Sequence, residues 1–370
     1  MRPLFLLCFA VACTPPTDEH VAPPDADQGL AVMATASDDY AVGALTVVGL
    51  TDHAIADVAA IYPDAVVSVE LDASAPGGAV VWEINRQGGD TVRRYTPGVW
   101  DEPVWEASVG AGANPQDAAR CGGRLFVSIY ESASLRILSS ETGESLGEVD
   151  LSSVADDDGL PELAGLFVQD DLLYAVAQRL DRTNGWTVDP GGQLVQIDCA
   201  SGAVTHTWPL GPNPQLGGQG LPTFASVDGV RAFVDGDVSD VLLGAVDGAP
   251  VVDLAVSEAG KGAFVARDGT PGSSHHVIGC VDATTTPWTV TTLESLEHYV
   301  PDVAVHGDQA WFAVRRGWAD PTDEGGVLVV DLKTCTVVGD DWLRPRFAPF
   351  SLGFVPCSGD ACDVPAAGGG

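Results

Sequence analysis

Short apolar segments separated by turn residues recur along most of the chain. In each repeating unit, a first segment starts with an acidic or polar residue, a turn rich in Gly or Asp follows, and a second segment carries an aromatic residue. Four short strands at such spacing are typical of a β-propeller blade, and no part of the pattern has a convincing helical period. The first segments begin at Asp64, Asp117, Glu162, Thr223, Asp253, Asp302 and Phe350. Their number predicts an all-β propeller of seven four-stranded blades.

The two ends of the chain hold complementary parts of one blade. Segments 31–36, 43–48 and 55–59 have the pattern of second, third and fourth strands, and the segment from Phe350 supplies the missing first strand. Because their pairing would close the ring and leave no exposed sheet edge, we expect the N- and C-terminal strands to pair. The weakest unit is 219–250, where a fourth strand is hard to find.

The residues outside the predicted propeller (29–356) have the features of an export signal and a tail. Residues 1–12 combine a positive charge, a short apolar run and small residues, which predicts a secretory signal peptide. The following Cys13 completes a lipobox-like motif, so it is the expected lipid attachment site, and 13–28 is the expected flexible tether. The alternative is an ordinary cleaved signal in which Cys13 is incidental. Residues 357–370 are expected to be mostly disordered. Together these features predict an exported lipoprotein of the cell envelope, at the outer membrane or cell surface.

The chain is strongly acidic. Its 370 residues include 52 Asp and Glu but only 17 Lys and Arg, which gives a formal net charge of −35. Such a surface repels phosphate backbones, so nucleic acid is excluded as a partner class. The expected partners are the membrane, through the lipid anchor, and an envelope protein or a small ligand.

Several segments resemble those of a known family, the bacterial exported YVTN/YncE-like propellers, many of which are predicted lipoproteins. The matching segments are Ile84-Asn-Arg, Asn114-Pro-Gln-Asp, Asp156-Asp-Asp-Gly-Leu-Pro-Glu and Leu173-Tyr-Ala-Val-Ala-Gln-Arg-Leu-Asp-Arg. The resemblance spans about 30–356 and is most specific in 64–210. It implies a seven-bladed propeller at the cell envelope but no particular reaction, because one fold hosts many functions.

Six cysteines follow Cys13, an even number that predicts disulfides in an exported chain. The strand register places five of the six on one end of the propeller, near turns that follow first or third strands, and Cys362 follows in the tail. The candidates are Cys121, Cys199, Cys280, Cys335, Cys357 and Cys362. Cys121–Cys199 and Cys280–Cys335 would link neighbouring blades and Cys357–Cys362 would be a local pair, although other connectivities stay open. Metal binding is the alternative, but no paired C-x-x-C spacing supports it.

Five acidic residues recur at the start of first segments: Asp64, Asp117, Glu162, Asp253 and Asp302. First strands line the channel of a propeller, so we expect these carboxylates to surround one of its mouths. A ring of hard oxygen ligands suits Ca²⁺, the one cofactor that the sequence suggests. The alternative is that each carboxylate accepts backbone N–H bonds and fixes a loop between blades. The acidic loop 156–159 lacks the spacing of an EF-hand, and a different cation geometry stays open there.

Second segments end in polar and charged residues on the same face as the acids. Arg86, Glu131, Gln178, Arg179, Arg267 and Arg316 form a predicted ligand-binding rim. The arginines either pair with the acids or bind anions or sugars. Most tryptophans are expected in the cores of blades, and Trp186, in the 181–192 insertion, is the exception.

The repeated acids favour a non-enzymatic binding or scaffold module that is anchored to the envelope and presents an acidic face to a ligand or partner. The alternative is a calcium-dependent hydrolase or lactonase with carboxylates at the channel mouth. An enzyme of that kind needs an asymmetric ligand set with an open metal position, whereas a scaffold needs only repeated structural acids. The sequence assigns no catalytic residue.

Overall fold

Seven four-stranded antiparallel sheets make up the computed structural model, which describes residues 29–72, 74–188, 191–218, 220–243, 246, 248–267, 275–316, 325–339 and 342–356. Each sheet is one blade, and the innermost strands of adjacent blades contact one another around a complete ring. The prediction of an all-β, seven-bladed propeller is therefore confirmed. Within the described part of the chain, no helix has the length and hydropathy that crossing a membrane requires.

The chain starts with three strands of blade 7, and its last strand completes that blade. The strands of blade 7 are β1 (Leu30–Ala36), β2 (Gly43–Gly49), β3 (Ile55–Ile61) and, after all the others, β28 (Ala348–Val355). Blade 1 contains β4 (Ala65–Leu71), β5 (Ala79–Asn85), β6 (Thr91–Tyr95) and β7 (Trp105–Ser108). Blade 2 contains β8 (Pro115–Cys121), β9 (Arg124–Ile129), β10 (Ser134–Ser139) and β11 (Ser145–Asp150). Blade 3 contains β12 (Leu163–Gln169), β13 (Leu172–Ala177), β14 (Gly192–Asp198) and β15 (Val204–Gly211).

The remaining blades follow in chain order. Blade 4 contains β16 (Gln215–Leu216), β17 (Thr223–Ser226), β18 (Gly229–Val234) and β19 (Asp237–Leu243). Blade 5 contains β20 (Val251–Val256), β21 (Lys261–Arg267), β22 (His276–Asp282) and β23 (Thr289–Leu296). Blade 6 contains β24 (Tyr299–His306), β25 (Gln309–Arg315), β26 (Gly326–Asp331) and β27 (Thr336–Val337). The innermost strands of blades 1 to 7 are β4, β8, β12, β16, β20, β24 and β28. We call the face where inner strands begin the upper face and the opposite one the lower face.

The ring is closed by pairing between the two ends of the chain. Antiparallel bonds join β1 to β28 from Leu30↔Val355 to Ala36↔Ala348, as the sequence pattern predicts. Every residue of β1 and of β2 is buried, because both faces of these strands pack against neighbouring blades. Strands covered on both faces read as continuous apolar runs rather than as alternating ones.

Second strands show how one sequence serves two interfaces. In β5, Ala79 and Val81 belong to the apolar cluster shared with blade 7, whereas Val80, Trp82 and Ile84 belong to the cluster shared with blade 2. Residues alternate between the two faces of a strand, so this single apolar run contributes to two cores. Burying each large apolar side chain contributes about 1.5–3 kcal/mol, and the blades are held mainly by such contacts.

Blade 4 differs from the prediction. Its inner strand is the two-residue β16, so the segment that begins at Thr223 is the second strand of the blade, and the expectation that it is a first strand is wrong. After β16 the chain leaves the sheet and bonds directly to blade 5, where Gly218 N–H donates to Leu254 O (3.2 Å) and Leu221 N–H donates to Val256 O (2.9 Å). The fourth strand, β19, is present.

Two disulfides join adjacent blades at the lower face. Cys121–Cys199 links blades 2 and 3, and Cys280–Cys335 links blades 5 and 6, with Cα–Cα distances of 5.8 and 5.9 Å. Both pairings match the inter-blade pairs expected from the register. Cys357 and Cys362 lie outside the described residues, as do Cys13, the predicted signal and tether, and the predicted tail.

Candidate functional site

The seven inner strands surround a channel that contains a cavity of about 1000 Å³. A concave cavity of this size with polar groups in its wall is where ligands of such folds are expected. Its upper part is lined by Arg86, Gln116, Tyr299 and Phe350. Its lower part is lined by Glu70, Arg120, Glu258 and His306. Across the lower mouth Arg120 pairs with Glu70 and Asp72, at 2.7 and 2.6 Å.

Three of the five predicted acids lie in the wall of this channel and bond to the following blade. In each case a carboxylate oxygen accepts a backbone N–H of the next inner strand: Asp117 from Leu166 at 2.8 Å, Asp253 from Val303 at 2.9 Å and Asp302 from Leu352 at 2.7 Å. Asp117 and Asp253 each accept a second N–H, from the next residue of their own strand, at 2.8 Å. We call these three residues the clamp acids, because they join blade 2 to 3, blade 5 to 6 and blade 6 to 7.

The clamp acids lie at register shifts in their strands. Asp117 is among the residues skipped between Pro115 and Ala118 in the pairing of β8 with β9, whereas Asp253 and Asp302 are the first paired residues after the shifts in β20 and β24. Such irregularities bend a strand and re-aim its side chains, and here each carboxylate reaches the next blade. At the same point in blade 7, Ser351 Oγ accepts the N–H of Val67 at 2.8 Å.

Burial in the channel wall raises the pKa of the clamp acids. The pKa of Asp117 rises to about 6, although the N–H groups of Leu166 and Ala118 oppose the shift. The pKa of Asp302 also rises to about 6, and burial together with the negative charge of Asp302 raises the pKa of Asp253 well above its usual value. The like charge of a neighbouring carboxylate makes it harder for both groups to ionise together.

The other two predicted acids, Asp64 and Glu162, lie just before their inner strands and not at the clamp position. Asp64 accepts hydrogen bonds from Arg86 Nε (3.1 Å) and Nη2 (2.5 Å), and the Arg86 guanidinium lies 4.8 Å from the centre of the Phe350 ring. Glu162 is fully buried and accepts the N–H of Leu180 and the Nε–H of Arg182, both at 3.0 Å. These two acids therefore pair with arginines of the upper face.

Glu162 also has two acidic neighbours in the 156–162 loop. Among the residues that the structure describes, Asp156, Asp158 and Glu162 form the one group of three or more metal-ligating side chains whose ligand atoms lie within 4.8 Å of one another. The five predicted acids thus do not converge on one point. Burial raises the pKa of Glu162 to about 7, with the charges of Asp158 and Asp156 adding to the shift.

The oxygens of this acidic group are largely committed to the protein. Asp158 accepts the N–H groups of Leu160 (2.9 Å) and Arg182 (3.0 Å), and Asp156 Oδ1 accepts the N–H of Asp158 (3.1 Å). Asp156 Oδ2 is buried and has no hydrogen-bond partner among the described residues. Since Ca²⁺ needs six to eight oxygens, the group offers a poor fit unless Arg182 withdraws, and the calcium prediction stays untested.

All six predicted rim residues lie at or just after the ends of second strands on the upper face, but they do not share one contact. Arg179 donates to Gly191 O (3.2 Å), Gln178 donates to Pro214 O (3.4 Å), and Arg267 is exposed at the end of β21. Arg316 pairs with Asp38 (3.2 Å) and Glu131 pairs with Arg182. The rim is thus a set of separate contacts, some within one blade and some between blades, and not one shared binding cluster.

Sequence reasoning gave Arg182 no role at the site, and it placed Arg315 beside Arg316 at the rim without its contacts to blade 7. Arg182 joins blades 2 and 3 by bonding to Glu131, Glu162 and the carbonyl of Tyr130. Arg315 is buried and donates to the carbonyls of Ala348 (2.7 Å) and Ala36 (3.3 Å) in blade 7. The period of two in β25 indicates Arg315, because it shares the face of Trp311 and Ala313 that packs on blade 7. Arg182 leaves no comparable signal, since its partners are distant in sequence.

No family model and no curated protein matches the sequence. The fold is similar to that of two solved structures described as "putative 6-phosphogluconolactonase". The one from Bacteroides fragilis NCTC 9343 has a TM-score of 0.62 and 14% identity, covering 90% of this chain and 99% of that chain. The one from Bacteroides uniformis ATCC 8492 has a TM-score of 0.62 and 12% identity, covering 89% of this chain and 100% of that chain. A catalytically inactive virginiamycin B lyase from Staphylococcus aureus has a TM-score of 0.53 and 13% identity, covering 78% and 93%. At such identities the similarity shows the fold alone.

Proposed function

We propose that this protein is a lipid-anchored binding propeller of the cell envelope, which presents its upper face to a ligand or protein partner and catalyses no reaction. The observation that carries this proposal is how the recurring acids use their oxygens. The clamp acids accept backbone N–H groups of adjacent blades, and Asp64 and Glu162 pair with arginines. A metal-dependent enzyme would need those oxygens for its metal.

The cysteines support the proposed location in the cell envelope. Disulfides persist in oxidising compartments, and both described disulfides join neighbouring blades at positions where free thiols would otherwise face each other. Cys13 follows a signal-like segment, and a lipid at that residue would leave the propeller at the end of a short tether. We propose that the protein is exported and anchored in this way, with the family resemblance in 64–210 as further support.

The anchor has a direct test with a matched control. Cys13→Ala should release the protein from membranes into the soluble fraction, whereas Cys8→Ala, inside the predicted signal, should leave it in the membrane fraction. Fractionation followed by immunoblotting reads both variants. Continued membrane association of Cys13→Ala would refute anchoring through that residue.

The alternative function is a calcium-dependent hydrolase or lactonase. It is favoured by the acidic group of Asp156, Asp158 and Glu162 and by the names of the two Bacteroides proteins, which assign them to 6-phosphogluconolactonase. An assay of 6-phosphogluconolactone hydrolysis, with and without Ca²⁺, separates the two functions. The binding proposal expects the full chain to match the uncatalysed rate. Calcium-dependent hydrolysis that Glu162→Gln abolishes would establish the enzyme instead.

A further inference from the structure

A groove at the outer part of the upper face, between blades 3 and 4, carries the most exposed aromatic side chain of the described residues. Trp186 is 56% exposed, whereas Trp82, Trp100 and Trp311 are fully buried. Beside it lies a cavity of about 560 Å³. The other residues that line this groove are Thr187, Val188, Gly191, Gly211, Pro212 and Asp228.

The backbone around Trp186 is fixed by hydrogen bonds within its own turn. Trp186 N–H donates to Asp181 O (2.8 Å), and Asp181 N–H donates to Thr187 O (3.0 Å). Asp181 Oδ1 accepts the N–H of Thr183 at 2.9 Å. Trp186 has a φ of 64°, a left-handed conformation that a large side chain adopts only where its surroundings impose it. The turn therefore holds an apolar ring in water at a cost in free energy.

Among the described residues, a cation supports one face of the Trp186 ring. The guanidinium of Arg182 lies 5.3 Å from its centre, and Arg182 is itself held by Glu131 and Glu162. Because the side chain is still more than half exposed, the opposite face of the ring is open. A rigid aromatic surface with one open face binds a flat partner without first losing conformational freedom.

The charges that border the groove are paired. Asp228 and Arg231 make two contacts, Nη1 to Oδ1 and Nη2 to Oδ2, both at 3.0 Å. This pair packs against Gly211, whose φ of 83° is a left-handed conformation that favours glycine. Arg182 and Asp228, the charged residues described at the groove, are thus both paired, so neither offers a free charge to a ligand.

We propose that this groove binds a neutral saccharide chain by stacking a sugar ring on the open face of Trp186. The C–H groups on one side of a pyranose ring match the partly negative face of an indole, and the paired ions at the edge offer donors and acceptors to sugar hydroxyls. The lining reaches from Trp186 and Val188 to Pro212 and Asp228, which leaves room beside a stacked sugar ring for further units of a chain. The inference rests on the proposed function in one respect, that the upper face binds and does not transform its ligand.

The test is calorimetric titration of the full chain, in detergent, with four neutral hexasaccharides: cellohexaose, xylohexaose, mannohexaose and N-acetylchitohexaose. We expect at least one to bind with a Kd of about 0.1–1 mM. Trp186→Ala should weaken that binding at least about tenfold, and Trp186→Tyr, which keeps an aromatic face, should restore most of it. Tyr40→Ala, which removes another exposed aromatic side chain of the upper face, should leave the affinity unchanged. Because Trp186 is exposed, none of these variants should lower Tm appreciably.

Binding of none of the four hexasaccharides, binding that Trp186→Ala leaves intact, or stronger binding of hexalysine or hexagalacturonate would each overturn the inference. These failures leave the anchor and the missing lactonase activity untouched, so they do not count against the proposed function. Chromatography of the saccharide after incubation shows whether the protein cleaves the chain that it binds. Shortened chains would contradict the proposal that the protein is not an enzyme while supporting the saccharide site.

Discussion

The blade interfaces 2–3 and 5–6 are built differently from the interfaces on either side of blade 4. Where blade 2 meets blade 3 and blade 5 meets blade 6, a clamp acid bonds to the next inner strand and a disulfide closes the lower face. Around blade 4 neither feature occurs among the described residues. There, Gly165 stands where the clamp acid would be and lies against Leu216, and Gly217 lies against Leu254 O.

The two kinds of interface satisfy the same requirement by different means. Buried backbone N–H groups of inner strands need acceptors, and a carboxylate supplies one across the gap between blades 2 and 3. At the 4–5 interface the gap is narrower, so backbone carbonyls of β20 accept the N–H groups directly. An aromatic cluster that includes Phe167, Tyr174 and Phe224 fills the space between blades 3 and 4. The comparison indicates that a carboxylate links neighbouring inner strands at some interfaces, whereas glycine lets the backbones bond directly at the 4–5 interface.

Removing a disulfide from the first kind of interface should have the largest effect. Cys121 and Cys199 are separated by 78 residues, and a cross-link of that span stabilises a fold by about 2–4 kcal/mol. Cys121→Ser/Cys199→Ser should lower the free energy of unfolding by that amount in urea titrations. The Cys280→Ser/Cys335→Ser pair, with a separation of 55, should lose slightly less. A loss below about 1 kcal/mol for both pairs would show that the clamp and apolar contacts suffice.

A glycine substitution should disrupt the second kind of interface almost as strongly. A Cβ at Gly217 would lie 1.9 Å from Leu254 O and 2.4 Å from Thr223 Oγ1, so Gly217→Ala must push blades 4 and 5 apart. We expect a loss of about 3 kcal/mol. Gly112→Ala is the control, since nothing lies within 4 Å of its Cβ and only its φ of 73° costs energy, about 1 kcal/mol. Equal losses for the two variants would contradict the close approach at blade 4.

Removing a single clamp acid should cost less. Asp117→Ala leaves the N–H groups of Ala118 and Leu166 without their acceptor, at about 1–3 kcal/mol each, and relieves the burial of a carboxylate. The net loss should be about 2 kcal/mol, measured by urea unfolding at pH 7. Glu144→Ala, at an exposed position, is the control and should change stability by less than about 0.5 kcal/mol. If Asp117→Ala left stability unchanged or increased it, the clamp acid would not stabilise the interface between blades 2 and 3.

The pH dependence of Tm should show the smallest effect of the series. The folded-state pKa values of Asp117 and Asp302, about 6, and of Glu162, about 7, are all raised by burial. Groups with raised pKa contribute stability that is fully present below their unfolded pKa, near 4, and lost as pH rises through 6 to 7. Tm should therefore increase from pH 8 to pH 5. A Tm that falls over this range would contradict the burial of these acids.

Measurements of Tm below pH 4 test a second group of acids, those whose pKa is lowered. Hydrogen bonds from Ser74 lower the pKa of Asp72, and those from Lys261 and Thr284 lower that of Asp282, both to about 2. A lowered pKa contributes stability that is lost as pH falls from about 4 toward 2, so Tm should pass through a maximum. Asp302→Asn should flatten the rise between pH 8 and pH 5 without altering the fall below pH 4.

Much of the fold could be predicted because local pattern and closure agree. The seven apolar units, the complementary chain ends and the facing cysteines all follow from strand alternation and ring geometry. Blade 4 was misassigned because its inner strand is only Gln215 and Leu216, too short to show a pattern. The next apolar run, which begins at Thr223, was therefore assigned as the first strand of blade 4 in the sequence repeat.

The site was harder to predict because bulges and long-range contacts decide it. Asp64 and Asp117 look equivalent in the repeat, but the bulge in β8 places only Asp117 at the clamp position. Likewise, Glu162 lies before its strand, and its partner Arg182 lies in an insertion with no counterpart in the other units. The sequence repeat of about 50 residues does not reveal whether an acidic residue lies two positions earlier or later in its strand. Such a shift nevertheless changes which blade the carboxylate contacts.

The central claim is that the recurring acids bond to N–H groups and arginines of the protein itself and do not hold a metal ion, and calcium binding tests it most directly. Metal analysis of the purified full chain, together with Tm at pH 7 in excess Ca²⁺ and in EDTA, should show no stoichiometric metal and a change in Tm below about 1 °C. Stoichiometric calcium that EDTA removes would contradict the claim, especially if Ca²⁺ raised Tm by several degrees and Asp158→Asn abolished that increase.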